Sequence, residues 1–253
     1  MARATATAKA TPIKSKTAGE PLGKTKSGND IVGLLIPPPN LRLAQFKCVG
    51  TAPFVQNKFN HKIMQQMKEK QEAGSTAGSK KGKRDPKDFL ALYEGAKHLS
   101  EQGWCGIPAG AFRAGLISAC RLVNFKMTLA KLSIFIVADG LDATEGTPLV
   151  RIVGTPEPFE AAVRNATGVV DIRVRPMWRR WHCILNVRFD ADQFTPTDVL
   201  NLLSRVGAQV GVGEGRPDSK DSIGMGWGTF EVESAGESTK RGAGGRLRTV
   251  GPG

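Results

Sequence analysis

The stretch of the chain best suited to binding a charged ligand is a glycine-dense segment, residues 206–232, that contains seven glycines together with Arg216 and Lys220. Glycine adopts positive φ without a steric penalty and lets a ligand or another backbone approach closely. Backbone N–H groups and cations are the usual partners of phosphate oxygens. The segment therefore predicts a polyanion-binding loop, the alternative being a flexible loop with tight turns. The predicted contacts are Gly213, Gly215, Arg216, Lys220, Gly224 and Gly226.

A second candidate site is the densest basic and aromatic cluster of the chain. Arginine offers a planar fork to phosphate, and indole rings stack on unpaired bases at roughly 1–3 kcal/mol per base. Only 6% of the residues are aromatic, so two tryptophans around an Arg-Arg pair favour nucleic-acid binding over a hairpin that covers the core through cation–π contacts. The predicted members are Arg173, Arg175, Trp178, Arg179, Arg180 and Trp181.

Catalytic and cofactor motifs have little support in the sequence. His61, His98 and His182 do not stand at metal-ligand spacing with another histidine or cysteine, and there is no G-x-S-x-G motif. The glycines between 211 and 215 follow a predicted helix and lack the G-K-[ST] ending of a phosphate-binding P-loop. We therefore predict no catalytic residue, no metal and no cofactor. An RNase that holds a metal at Asp218 or Asp221 is an alternative.

Composition indicates the class of partner. The 253 residues carry a net charge of +13, and nucleic acid or an anionic membrane surface is the usual partner of such an excess. No apolar run approaches the roughly 20 residues of a membrane span, and residues 1–29 lack the apolar core of a signal peptide. The four cysteines form no C-x-x-C pair, which favours free thiols. We expect a cytoplasmic protein with no membrane partner.

The predicted domain organisation is a single folded body between two basic tails. Residues 1–30 and 234–253 cannot form a core and are predicted to be disordered basic tails. The body spans residues 31–233, with a flexible basic loop at 73–85 and a β-hairpin extension at 145–190.

Residue patterns within the body predict a mixture of strands and helices. Apolar runs and alternation predict strands at 41–49, 133–138 (fully buried and central), 149–153, 169–175, 183–189 and 228–233. Helices are predicted at 57–67 and 88–99, from Pro108, and from Thr195, where Thr195, Pro196 and Asp198 form a helix-start signal. A turn is predicted at 176–182.

Two segments resemble a known family. Residues 106–121, G-I-P-A-G-A-F-R-A-G-L-I-S-A-C-R, are similar to the I-P-G-S-S segment, followed by a basic residue, Gly-Ala and arginine, of the RAMP superfamily of CRISPR-associated proteins. The glycine-rich stretch that leads into the last predicted strand resembles the G-loop of that superfamily. The resemblance implies a ferredoxin-like, RRM-like core whose backbone-type members polymerise along a guide RNA. It also implies that Arg113, Arg121 and the loop 213–226 with Arg216 contact an RNA backbone.

These observations predict an α+β protein with a ferredoxin-like (RRM-like) antiparallel sheet, an inserted helical region and a β-hairpin extension. The predicted function is non-catalytic binding of single-stranded nucleic acid, RNA favoured over DNA, by a homo-oligomer or a multi-subunit complex. A phage protein that binds or anneals single-stranded DNA is one alternative. A virion or other assembly protein whose basic tails meet nucleic acid is another.

Overall fold

The computed structural model describes residues 37–59, 61–72, 87–164, 168, 170–219 and 224–233. The predicted tails 1–30 and 234–253, the basic loop 73–85, Lys220 and Asp221 lie outside the described residues. In chain order the elements are β1 (Leu41–Gly50), β2 (Phe54–Val55), α1 (His61–Glu72), α2 (Phe89–Gly95), β3 (Gly106–Pro108), α3 (Ala109–Ala119), α4 (Met127–Ser133), β4 (Ile134–Val137), β5 (Gly140–Leu141), β6 (Pro148–Val153), β7 (Glu157–Arg164), β8 (Val170–Trp178), β9 (His182–Asp190), α5 (Pro196–Arg205) and β10 (Phe230–Glu233).

The main sheet is organised around β9. Strand β1 pairs with β9 along its whole length, from Leu41 opposite Asp190 to Val49 opposite His182, and β10 pairs with the other edge of β1. On its second side β9 pairs with β4 at one end and with β6 at the other, and β6 in turn carries β3 and β5. Every pairing among the described strands is antiparallel. The protein is therefore α+β, as predicted.

The core lies between one face of this sheet and helices α3 and α5. Alternate residues of β9 point to that face, and Cys183, Leu185, Val187 and Phe189 are all fully buried. Helix α3 follows β1 in the chain and precedes β4, while α5 connects β9 to β10. Gly115 of α3 faces Val206, which begins a short π-helical turn after α5, and a Cβ at Gly115 would lie 2.8 Å from the Val206 side chain. Small residues in α3 thus let the helices pack closely.

A second sheet of three strands, β2, β8 and β7 in that order, stands beside the main one. Strands β7 and β8 form an antiparallel hairpin that runs from Glu157 opposite Met177 to Arg164 opposite Val170. Phe54 and Val55 of β2 are buried and pair with Trp178 and Met177 of β8. The second sheet therefore joins the hairpin to the segment that follows β1.

Several predicted element boundaries differ from the structure. Residues 133–138 were expected to form a buried central strand, but β4 pairs only with β9 among the described strands, and Val137 is 40% exposed. A turn is predicted at 176–182, but strand β8 continues to Trp178 and β9 begins at His182. Only residues 179–181 lie between the two strands. Helix α2 ends at Gly95 rather than at Leu99, because Leu99 and Ser100 pair in β-bridges with Cys105 and Asp142. None of the helices in the described ranges is long and apolar enough to cross a membrane.

The start of α5 is as predicted, with a capping box at Thr195 and Asp198. The Thr195 Oγ1 accepts a hydrogen bond from the Asp198 N–H at 3.2 Å, and the Asp198 carboxylate accepts one from the Thr195 N–H at 2.8 Å. Replacing Thr195 with alanine should lower the free energy of unfolding by about 1 kcal/mol, since one helix N–H loses its acceptor. Urea unfolding measures the change. Thr197→Ala, at the second residue of the same helix, is the control and should have a smaller effect.

Candidate nucleic-acid interface

The glycine-dense segment, called here the glycine loop (residues 211–219 and 224–228 as described), is tied to the second sheet by its backbone. Glu214 donates its N–H to the Val55 carbonyl at 2.9 Å, and Gly228 donates to the Pro53 carbonyl at 2.8 Å. The two arms of the loop are joined where Val212 donates to the Gly228 carbonyl at 3.0 Å. The described part of the loop is therefore folded against the second sheet, and the alternative of a flexible loop does not apply to it.

The glycines of the loop are needed for its own packing. Gly213 has φ of +84°, and a Cβ there would overlap the Phe54 ring and the Val55 carbonyl. Gly228 has φ of +69°, and a Cβ there would overlap the backbone of Val212. Positive φ combined with such crowding explains the choice of glycine at these positions without a ligand. The predicted contact residues Gly213, Gly215, Gly224 and Gly226 all have positive φ.

A hydrogen bond and an ion pair at Asp218 join the loop to the C-terminal end of α3. The Ser118 hydroxyl donates a hydrogen bond to Asp218, and the Arg121 guanidinium lies 2.8 and 3.0 Å from the two oxygens of the same carboxylate. The hydrogen bond from Ser118, together with Arg121, holds the pKa of the Asp218 carboxyl below its ordinary value against the opposing effect of burial. Asp218 is thus an ionised anchor of the loop, and Arg121 reaches the loop through it.

The β7–β8 hairpin supports the loop from another side. Arg175 on β8 places its Nε 3.0 Å from an oxygen of Glu214, and the two side chains are largely buried. Phe159 on β7 packs edge-to-face on Trp227, with ring centroids 5.4 Å apart. Arg175, predicted to bind nucleic acid, therefore neutralises an acidic residue of the loop.

Two adjoining cavities lie between the loop, α3 and β2, and together we call them the loop cleft. They share Ala111, Gly213 and Arg216 in their walls. The first, the His98 cavity, has a volume of about 370 Å³ and is also lined by Gln56, Asn57, His98, Gly215 and Ser219. The second, the Ser118 cavity, has a volume of about 300 Å³ and is also lined by Ala114, Gly115, Ser118 and Asp218.

Three residues of the loop that line this cleft have unused backbone hydrogen-bond donors. The backbone N–H groups of Gly213, Gly215 and Arg216 have no acceptor among the residues that the structure describes. Arg216 donates to the Gly213 carbonyl at 3.2 Å and forms no ion pair with a described carboxylate, while Asp218 nearby is already paired with Arg121. Successive N–H groups next to a cation form a concave site that suits an anion.

Arg113 does not join this site. Its guanidinium donates to the backbone carbonyls of Lys131 and Ile134 and lies 5.1 Å from the centre of the Phe135 ring. Although Arg113 and Arg121 lie two turns apart, they contact different parts of the structure. Arg113 holds the junction of α4 and β4, whereas Arg121 contacts the glycine loop.

The prediction that Trp178 and Trp181 stack on bases is wrong. Their side chains are 0% and 3% exposed, and both pack against Phe54 with ring centroids 5.5 and 5.6 Å away. The Trp181 indole also donates to the Ala52 carbonyl at 2.9 Å. Two large apolar rings on either side of a tight bend gain more from burial in the core than from solvent contact.

The arginines of this cluster are separated as well. Arg179 and Arg180 are exposed at the bend between β8 and β9, and Arg179 pairs with Glu157 at 2.8 Å. Arg173 is half-buried on β8, where its Nε lies 4.0 Å from Asp171. The basic cluster of the sequence is therefore distributed between a hairpin strand, a surface bend and an ion pair with the glycine loop.

The sequence did not point to a buried charged group at the end of the loop cleft. Asp142 is 1% exposed, and its carboxylate lies 2.7 and 2.9 Å from the Lys58 ammonium and 2.9 Å from His98 Nδ1. Lys58, His98 and Asp142 are 40 or more positions apart in the sequence, so no local spacing indicates that they meet. The turn-forming residues after Asp142 are the only signal of this group in the sequence. Within the described ranges, no three His, Cys, Asp or Glu side chains are arranged to hold a metal ion.

No protein-family model matches the chain, and no curated protein matches it either. What the loop cleft binds therefore has to be argued from its own donors, charges and shape.

Proposed function

We propose that the chain binds single-stranded nucleic acid, RNA favoured, along its backbone in the loop cleft, without cleaving it. The observation that carries the proposal is the set of unused N–H groups at Gly213, Gly215 and Arg216, which line a cleft in a chain of net charge +13. Phosphate is the anion that a strongly basic protein meets most often, and backbone N–H groups contact it without regard to sequence.

The shape of the cleft favours a single strand. Its cavities of about 370 and 300 Å³ are recesses between a loop, a helix and a short strand. An extended single strand can place successive phosphates in such recesses, whereas a duplex presents its phosphates on a wide, stiff cylinder. The loop is held by β2, α3 and the hairpin before any ligand arrives, which reduces the conformational entropy lost on binding.

The topology supports a ferredoxin-like core and the resemblance to the RAMP superfamily. Strands β10, β1, β9 and β4 lie side by side in that order, with α3 between β1 and β4 and α5 between β9 and β10 in the chain. A ferredoxin-like fold has the same strand order and connectivity, and this agreement supports the proposal of such a core. The two segments that carry the resemblance, 106–121 and 213–226, also meet in space through Ser118, Arg121 and Asp218. We therefore extend the proposal to a subunit of a multimeric ribonucleoprotein of CRISPR-effector type.

The salt dependence of binding tests this function. Each phosphate neutralised on a single strand contributes about −0.7 to the slope of log K against log salt concentration. We expect a slope steeper than about −2 for a 20-nucleotide oligouridylate, measured by fluorescence anisotropy between 50 and 300 mM KCl. Arg216→Gln should make the slope shallower by about 0.7. Arg205→Gln removes the same charge from the exposed last turn of α5 and should leave the slope unchanged.

Other outcomes would favour the alternatives. A flat salt response would overturn the proposal, and ordered assembly without nucleic acid would support an assembly protein. Tighter binding of oligothymidylate with strand pairing would support a DNA-annealing protein. Cleavage of labelled RNA on addition of a divalent metal would contradict the non-catalytic assignment.

A further inference from the structure

We infer that the His98 cavity is a phosphate subsite in which the His98 imidazole contacts one phosphate group opposite the N–H groups of the glycine loop. The inference rests on the proposed function and specifies one contact within it. His98 lines the cavity although it is more than nine-tenths buried, and no motif or spacing in the sequence assigns it a role.

The His98 side chain keeps an exposed fraction of 11%, and the residue lines this cavity. Its Nε2 atom has no hydrogen-bond partner among the residues that the structure describes. The one side-chain nitrogen or oxygen in those residues that is both sealed from solvent and unpaired is Trp178 Nε1. His98 Nε2 therefore has no partner among the described residues, and the cavity that His98 lines is the space available to a ligand.

The other ring nitrogen fixes the protonation pattern. His98 Nδ1 lies 2.9 Å from Asp142, whose carboxylate is also held by Lys58 and by the hydroxyl and N–H of Thr144. Burial acts to raise the pKa of Asp142, but these hydrogen bonds outweigh it and hold the pKa well below its usual range. An ionised carboxylate only accepts hydrogen bonds, so Nδ1 carries a proton. A neutral His98 then presents a lone pair at Nε2, and only the imidazolium donates from Nε2 to a phosphate.

The imidazole is held in place through its own backbone. Gln56 accepts the His98 N–H at 2.9 Å and donates to the Gly106 carbonyl at 2.7 Å. The oxygen and the nitrogen of the buried Gln56 side-chain amide are thus both bonded, and they fix the His98 backbone next to β3. A side chain held by Asp142 on one side and by its backbone on the other is pre-organised for a ligand in the cavity.

The opposite wall supplies the remaining donors. Gly213, Gly215 and Arg216 line the same cavity and have backbone N–H groups with no acceptor among the described residues. Glu214, which also lines it, is neutralised by Arg175. The Lys58–Asp142 pair is likewise neutral in sum, so Arg216 and a protonated His98 give the cavity a positive charge. Lys97, Glu94 and Cys105 are further titratable groups on the segments next to His98 in the described part of the chain. Lys97 and Glu94 pair with each other, and burial raises the pKa of the Cys105 thiol.

A hydrogen bond donated from Nε2 to phosphate therefore requires the imidazolium form of His98. Histidine is the side chain that ordinarily changes charge between pH 5 and 8. We expect the affinity for a 10-nucleotide oligouridylate to be about tenfold higher at pH 5.5 than at pH 8.0 at constant ionic strength, the size of one charge-assisted hydrogen bond. His98→Gln should remove most of this pH dependence. His182→Gln, on the opposite face of the sheet, should keep it.

Nuclear magnetic resonance of the histidine rings in the wild-type full chain provides a test that does not depend on the variants folding. Inorganic phosphate and the oligouridylate are added separately, and both should shift the His98 ring signals and leave those of His182 unmoved. A shift with the oligouridylate alone supports a subsite specific for a phosphodiester. Binding of the oligouridylate with no change at His98 overturns the subsite and leaves the proposed function intact. A shift with inorganic phosphate without oligouridylate binding overturns the proposed function instead.

Discussion

Replacing Asp142 with asparagine is expected to lower the free energy of unfolding at pH 7 by about 3–5 kcal/mol, the cost of leaving a buried charge without its partner. The Lys58 side chain is only 8% exposed, and its ammonium lies 2.7 Å from the Asp142 carboxylate. A neutral amide at position 142 would leave this buried positive charge without a partner. His98 and Thr144 would lose their ionic acceptor at the same time. Urea unfolding measures the change.

The same substitution should alter the acid sensitivity of the protein. Because the pKa of Asp142 is lower in the folded chain than in the unfolded chain, its contribution to stability is complete above the unfolded value of about 3.9 and is lost as the pH falls below it. Stability of the wild type should therefore drop as the pH falls from about 4 to 2. In the Asp142→Asn variant, the free energy of unfolding should fall less over the same pH range, because the contribution of Asp142 is absent. Asp198 and Asp218, whose pKa values are also lowered, account for the remaining fall.

An exposed ion pair provides the control. Glu157 pairs with Arg179 at 2.8 Å, and both side chains are more than half exposed. Glu157→Gln should change the free energy of unfolding by less than about 1 kcal/mol, because water already solvates and screens this pair. Equal effects of the two substitutions would mean that the Asp142 group is not an essential part of the fold.

Local patterns in the sequence predict the elements that depend on local physics. The start of α5 follows from Thr195, Pro196 and Asp198, because a capping box involves only neighbouring residues. Strand β9 follows from the apolar residues at every second position from Cys183 to Phe189, since one face of a sheet is in the core. All glycines in the described part of the glycine loop have positive φ, a conformation that glycine adopts without the steric penalty of a side chain.

Features that depend on distant contacts could not be predicted in this way. The bend after Trp178 sends both tryptophans to Phe54, and nothing in the sequence around them reveals that Phe54 is there. His98 has no acidic residue at a telling spacing, because Asp142 comes 44 positions later and is brought to it by the β-bridge between Ser100 and Asp142. The loop cleft therefore required the three-dimensional structure, whereas the loop itself did not.

Replacing Gly228 with alanine is expected to detach the two arms of the glycine loop and to lower the free energy of unfolding by more than about 3 kcal/mol. A Cβ at this buried position would overlap the carbonyl of Val212, whose own N–H is bonded to the Gly228 carbonyl at 3.0 Å. Since the obstacle is backbone, no rotation of a side chain relieves it. The positive φ of +69° adds strain of about 1–2 kcal/mol.

Gly226→Ala separates the steric overlap from the backbone conformation. Gly226 has a similar φ of +75°, but a Cβ there would have no atom within 4 Å, so we expect a loss of only about 1–2 kcal/mol. Thermal unfolding measures both variants, and limited proteolysis between residues 211 and 228 shows whether the loop has detached. If the loop cleft binds nucleic acid, Gly228→Ala should also weaken oligouridylate binding while Gly226→Ala largely retains it. Equal stability of the two variants would show that the contact between Val212 and Gly228 does not hold the loop. Detachment of the loop with undiminished binding would place the nucleic-acid interface elsewhere on the protein.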